Sequence, residues 1–95
     1  MMIEFLKKCG ISAEVVGEIS KINSSANIYN FVCNQDEVIK IIDFLKSIGV
    51  TCIDELLIYR MDLFFSSLEE FKNLFSEHDL GTFVNEINND YTVID

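Results

Sequence analysis

Ninety-five residues carry 16 acidic and seven basic side chains, a formal net charge of −9, with 49% apolar residues and no proline. That length bounds the chain at one domain, residues 1–95, the apolar share excludes a disordered polar chain, and the charge repels phosphate backbones, which disfavours nucleic acid as a ligand of the isolated chain. No apolar run approaches the roughly 20 residues of a membrane span, and Met1-Met2-Ile3-Glu4 places an acid where a leader peptide carries bases, so the expected location is cytoplasmic.

The chain opens on MIEFLKKCGI at residues 2–11 and returns to IIDFLKSIGV at 41–50. Ile3 aligns with Ile42, Phe5 with Phe44, Leu6 with Leu45, Lys7 with Lys46 and Gly10 with Gly49. A second pairing sets residues 30–42 over 63–75, with Phe31 on Phe64 and Glu37 on Glu70. The offset falls from 39 to 33 residues, a period of the size used by helical solenoid units.

Met2, Phe5, Leu6 and Cys9 fall at i, i+3, i+4 and i+7, which predicts a one-faced helix over 2–9. Gly10 ends it, because glycine enters the left-handed region without a Cβ clash. Ser12 is placed to cap a second helix with Val15, Ile19 and Ile22 inward and Gly17 marking a close helix approach. NSSAN at 23–27 reads as a loop, followed by a short helical turn at Ile28, Tyr29, Phe31 and Val32. Asn34 with Glu37 three residues on reads as a capping box for the longest helix, 35–48. Its stripe is Val38, Ile41, Ile42, Leu45 and Ile48, widened by Ile39 and Phe44, and Gly49 stops it. Thr51 and Asp54 repeat the cap before a helix at 52–61 faced by Ile53, Leu56, Leu57 and Met61. DLFF at 62–65 is a tight turn, and Ser67-Leu68-Glu69-Glu70 is a capping box opening a helix at 68–77 with Leu68, Phe71, Leu74 and Phe75 inward. Leu80-Gly81 echoes the earlier Leu-x-x-x-Gly element and precedes a last helix at 82–89, faced by Phe83, Val84 and Ile87. The tail NNDYTVID reads as coil or an extended end, and its apolar, abrupt finish fits a piece of a longer chain. The predicted fold is an all-α, small helical-repeat bundle of five or six helices, built from two helix-turn-helix units.

The order Phe44-Leu45-x-x-x-Gly49-Val50, then Ile53 and Leu57, then Asp62-Leu63-Phe64, then Ser67-Leu68-Glu69-Glu70 resembles the repeat of the mitochondrial transcription termination factor family. Phe5, Leu6, Gly10, Ile11, Phe31 and Glu37 carry a first copy, so the resemblance spans residues 2–78. It implies stacked helix-turn-helix units and, from that family's basic concave face, nucleic-acid binding. Ile28 and Met61 stand where the family's repeats carry a proline before the Leu-Leu turn, and the acidic second half departs from the basic face.

Residues 1–53 hold six acids against five lysines, whereas residues 54–95 hold ten acids against Arg60 and Lys72. Cys9, Cys33 and Cys52 are odd in number and lack C-x-x-C spacing, so a disulfide framework is not expected and buried thiols in a reducing compartment are. Cys52 falls at a predicted helix start, the setting that activates thiols. His78, the single histidine, reads as a surface side chain near a helix end. Glu69 and Glu70 read as helix-start charges, and Glu77 with Asp79 lacks EF-hand spacing. The phenylalanines read as core and not as a base-stacking platform, since basic residues are not interleaved with them. With no phosphate-loop or nucleophile motif, no enzyme, cofactor or metal is expected. Tyr59, Arg60 and Tyr91 are the candidate interface residues, because Tyr and Arg concentrate at protein contacts. The expected function is a non-catalytic protein-interaction module with a protein partner, self-association through the apolar end of a short solenoid included. The alternatives are a nucleic-acid-binding repeat protein, as the resemblance implies, or an acidic protein that blocks a basic nucleic-acid-binding partner.

Overall fold

The computed structural model describes residues 3–94. Met1, Met2 and Asp95 lie outside them, and with Met2 goes one member of the predicted first stripe. The described residues form seven α-helices: α1 (Phe5–Lys8), α2 (Ala13–Ile22), α3 (Ser25–Cys33), α4 (Gln35–Ser47), α5 (Ile53–Tyr59), α6 (Leu68–Asn73) and α7 (Leu80–Asn89). Short 3-10 segments at Met61–Phe65 and Tyr91–Val93 complete the chain. The architecture is the predicted all-α bundle. Its helix count is seven because the turn expected around residues 28–32 is a nine-residue helix, α3, capped by the Ser24 hydroxyl, which accepts from the Asn27 amide at 3.1 Å. Only Asn23 and Ser24 separate α2 from α3, so most of the predicted NSSAN loop is helical.

Gly10 and Gly49 end α1 and α4 in the same way. Both sit at positive φ, +87° and +92°. At the first, the Ile11 amide donates to the Leu6 carbonyl and the Gly10 amide to Lys7. At the second, Val50 donates to Leu45 and Gly49 to Lys46. These are paired six-to-one and five-to-two bonds, which satisfy the orphan carbonyls of a helix end. The hydrophobic pair that closes each cap, Ile11 with Leu6 and Val50 with Leu45, is buried. The Lys46 ammonium reaches back to the Cys9 carbonyl and ties the first cap to α4.

Gly81 behaves differently. It lies inside α7, which is capped by Asp79 accepting from the Thr82 amide and hydroxyl, so the echo of Leu-x-x-x-Gly is not a stop. Gly17 lies inside α2, and a Cβ there meets no atom within 4 Å, so it marks no close helix approach. The two kinds of glycine predict opposite effects. Gly17→Ala stabilises by up to about 1 kcal/mol through helix propensity, whereas Gly49→Ala destabilises by about 1–2 kcal/mol because the left-handed backbone strains any Cβ. Shifts of the urea midpoint in opposite directions check both.

The core runs the length of the bundle. Ile3, Leu6, Ile19, Phe31, Val38, Ile41, Ile42, Leu45, Leu56, Leu57, Phe64, Phe71 and Ile87 are fully buried. α2 packs on α5, α3 on the 3-10 segment Met61–Phe65, and α4 on α6. Seven of the eight phenylalanines form one chain of rings. Phe5 stacks on Phe31 at 5.8 Å, Phe31 meets Phe64 edge-on at 6.0 Å, Phe64 meets Phe71 at 6.4 Å, and the series continues through Phe75 to Phe83. Aromatic pairs at these spacings add to area burial. One inward assignment changes, Ile22, which is 52% exposed; Val16 is buried beside Ile19, and Val15 is partly buried against the same core.

Candidate interaction surface

The three candidate residues Tyr59, Arg60 and Tyr91 come together. α5 ends at Tyr59, and Arg60 turns the chain into the 3-10 segment with φ −130° and ψ 47°. Its guanidinium grips Asp62 through Nε at 3.2 Å and Nη2 at 3.3 Å, while Nη1 donates to the Ile94 carbonyl at 2.6 Å. Ile94 is buried, and the Tyr59 and Tyr91 rings stack at 5.9 Å with 14° between their planes. The tail is therefore folded back and pinned, not the coil or extended end its composition suggested. Asp90 starts its 3-10 turn by accepting from the Thr92 amide and hydroxyl, and the Thr92 hydroxyl foremost holds that carboxyl below its ordinary range.

Arg60 is thus spent on internal contacts, and what reaches solvent is the aromatic pair. Tyr59 is 54% exposed and Tyr91 half-buried. Two exposed carboxylates lie near them in the chain, Glu55 one turn before Tyr59 on α5 and Asp90 next to Tyr91, while Asp62 is paired with Arg60. A half-exposed aromatic pair with exposed carboxylates close by in the chain suits a cation on an apolar stem, since ring face and carboxylate both attract it.

Elsewhere the surface offers shallow hollows. One of about 370 Å³ lies between α4 and α6, lined by Lys40, Asp43, Phe44, Ser47, Leu68 and Lys72. There the Lys72 ammonium sits 5.3 Å from the Phe44 ring centroid, and Lys40 pairs with Glu37 at 3.1 Å. Another, about 310 Å³, lies between α3 and the 3-10 segment, lined by Asn30, Cys33, Asn34 and Phe65. His78 is exposed and stacks on Phe83 with centroids 4.0 Å apart. Among the described residues no group of three or more His, Cys, Asp or Glu could hold a metal ion. No helix among them is long and apolar enough to cross a membrane.

The thiols differ by setting. Cys52 directly precedes α5 at its N-cap, but its Sγ donates to the Ile87 carbonyl at 3.4 Å, and burial, then Glu55, pushes the thiol up from its ordinary range. Burial first, then Asp43, does the same to Cys9. Helix position alone therefore misleads for Cys52. Cys33 is exposed on α3. An alkylating reagent at about pH 8 labels Cys33 first, with Cys9 and Cys52 at least roughly tenfold slower until denaturant is added. Mass spectrometry of the time course reads the order directly.

One surface escaped the sequence reading. Tyr29 is 61% exposed on α3, and Phe65, the eighth phenylalanine, is 36% exposed and shares a hollow with Asn30 and Cys33 of the same helix. The available signal was charge: residues 22–35 contain no Asp, Glu, Lys or Arg. Comparison with protein-family models, with characterised proteins and with solved structures finds no match to this chain.

Proposed function

We propose that this protein is a non-catalytic protein-interaction module that binds a basic segment of a partner protein on its acidic half. The Tyr59–Tyr91 stack carries the reading: two aromatic rings, held by α5 and the pinned tail, stand partly in solvent, with the exposed Glu55 one turn before Tyr59 and the exposed Asp90 next to Tyr91. Tyr is enriched where binding energy concentrates, and a preorganised pair loses little entropy on contact. The ten acids of residues 54–95 add steering toward a positive partner. A cytoplasmic setting belongs to the same proposal, supported by three free thiols in one small domain.

The test is binding of a Lys/Arg-rich peptide by fluorescence anisotropy. Wild type binds, Tyr59→Ala binds at least about fivefold more weakly with its circular dichroism unchanged, and raising salt from about 50 to about 300 mM loosens both. Equal binding by wild type and variant removes the aromatic pair from the site. A gel shift with duplex or single-stranded nucleic acid below about 0.1 M salt supports the nucleic-acid reading instead and overturns this one.

A further inference from the structure

We infer that the outer face of α3 is a two-fold self-association surface, formed by Ala26, Tyr29, Asn30 and Cys33 and occupied by a second copy of this chain. The surface shares no residue with the Tyr59–Tyr91 site, so its success or failure is independent of that reading.

These four residues fall at i, i+3, i+4 and i+7, one stripe of a helix, and all four are exposed. The opposite side of the same helix carries the buried Phe31 and the half-buried Ile28 and Val32. α3 is the one α-helix among the described residues without a charged side chain, in a chain where 24% of residues are charged. The neutral region runs from Ile22 to Gln35, and Phe65 extends it across the hollow it shares with Asn30 and Cys33. Loss of charge together with an exposed Tyr and Phe is the composition of an interface centre.

Electrostatics selects the occupant. A basic partner gains most on the acidic half, where the carboxylates are, and gains nothing here. Two copies of a −9 chain repel over nearly all of their surfaces, and this is the face where they approach with no like charges in contact. Its chemistry is also self-complementary. An amide both donates and accepts, and so does a phenol, so Asn30 and Tyr29 can pair with each other in both directions across a two-fold axis, which two Lys or two Glu cannot do. A two-fold contact requires such self-matching.

The sequence positions set the register. An antiparallel crossing centred between Tyr29 and Asn30 puts Tyr29 against the second copy's Asn30 and Ala26 against its Cys33. The small residues at the stripe's ends leave room for the rings at its middle. One nine-residue helix supplies a contact at the small end of specific interfaces, so the dimer is weak, with Kd roughly 10 µM to 1 mM.

The test is sedimentation equilibrium up to about 1 mM protein at about 50 and about 500 mM salt. Dimer is expected in proportion to concentration and more of it at high salt, because screening relieves the mutual repulsion. Tyr29→Glu, which changes an exposed side chain, weakens dimerisation at least about tenfold by placing two acids near the axis. Mild oxidation of Ala26→Cys gives a covalent dimer through Cys33, whereas wild type and the double variant Ala26→Cys/Cys33→Ser give none, since like positions across the axis stand roughly 13 Å apart, beyond disulfide reach. Monomer at every concentration and salt, a dimer unchanged by Tyr29→Glu, or a dimer weakened by salt overturns the inference.

Discussion

Phe64→Ala loses about 3–5 kcal/mol of stability, a large part of the roughly 5–10 kcal/mol available to a domain of this size. The variant shows a urea transition shifted to low denaturant or no folded baseline at all. Phe64 is fully buried in the 3-10 segment and bridges Phe31 at 6.0 Å and Phe71 at 6.4 Å. Those two rings belong to α3 and α6, and truncation removes the contact that joins them. The walls cannot close on the void. Phe31 is held from its other side by Phe5, and Phe71 by Phe44 and Phe75, so the cavity persists, and cavity volume sets the upper range of such losses. Phe65→Ala, one residue on, changes a side chain 36% exposed and shifts stability by about 0.5 kcal/mol or less. Urea denaturation followed by far-UV circular dichroism compares the neighbours. Equal small losses would mean that the ring chain is not what joins the bundle's two halves.

Signals confined to a few residues survive folding best. Gly10 and Gly49 are read correctly because the positive φ of a helix stop is a backbone requirement that few side chains tolerate. Ser67 with Glu70 is read correctly because both capping bonds close within one turn, at 3.2 and 3.3 Å. Choices settled by neighbours are less legible. In α2, Val15/Ile19/Ile22 and Val16/Ile19 are both helical stripes, and only packing against α5 buries Val16 and leaves Ile22 outside. NSSAN has turn composition, but one serine suffices to cap α3, so composition does not measure loop length. The candidate surface follows the same division. Tyr59, Arg60 and Tyr91 stand out in the sequence by residue type alone, while the folding back of the tail that brings them together depends on Ile94 finding a buried place. The α3 face was hidden because the helix itself was not expected.

Asn34→Ala loses about 2 kcal/mol, since each of two partly buried hydrogen bonds contributes about 1 kcal/mol. Asn34 and Glu37 carry the pattern of a capping box, but α3 runs into α4 through this one residue, whose φ of −102° and ψ of 19° lie outside the extended geometry that a capping side chain needs. The side chain serves the other half of the molecule. Its amide nitrogen donates to the carbonyls of Phe64 at 2.8 Å and Ser66 at 2.9 Å. Glu37 acts beside it: Oε1 accepts from the Leu68 amide at 2.8 Å, an orphan donor in the first turn of α6, and Oε2 pairs with Lys40. The predicted cap of α4 is in fact a cap on α6. The Leu68 amide foremost, then Lys40, lowers the Glu37 carboxyl below its ordinary range. A depressed acid contributes stability above the unfolded-state value and loses it as pH falls through the folded one. Glu37→Gln keeps an acceptor oxygen but no charge. The variant should therefore be less stable than wild type near about pH 6, with the gap closing as pH falls below about 4. Urea midpoints across that range read the gap, and a difference independent of pH would show that the carboxylate's charge contributes nothing to the link between α4 and α6.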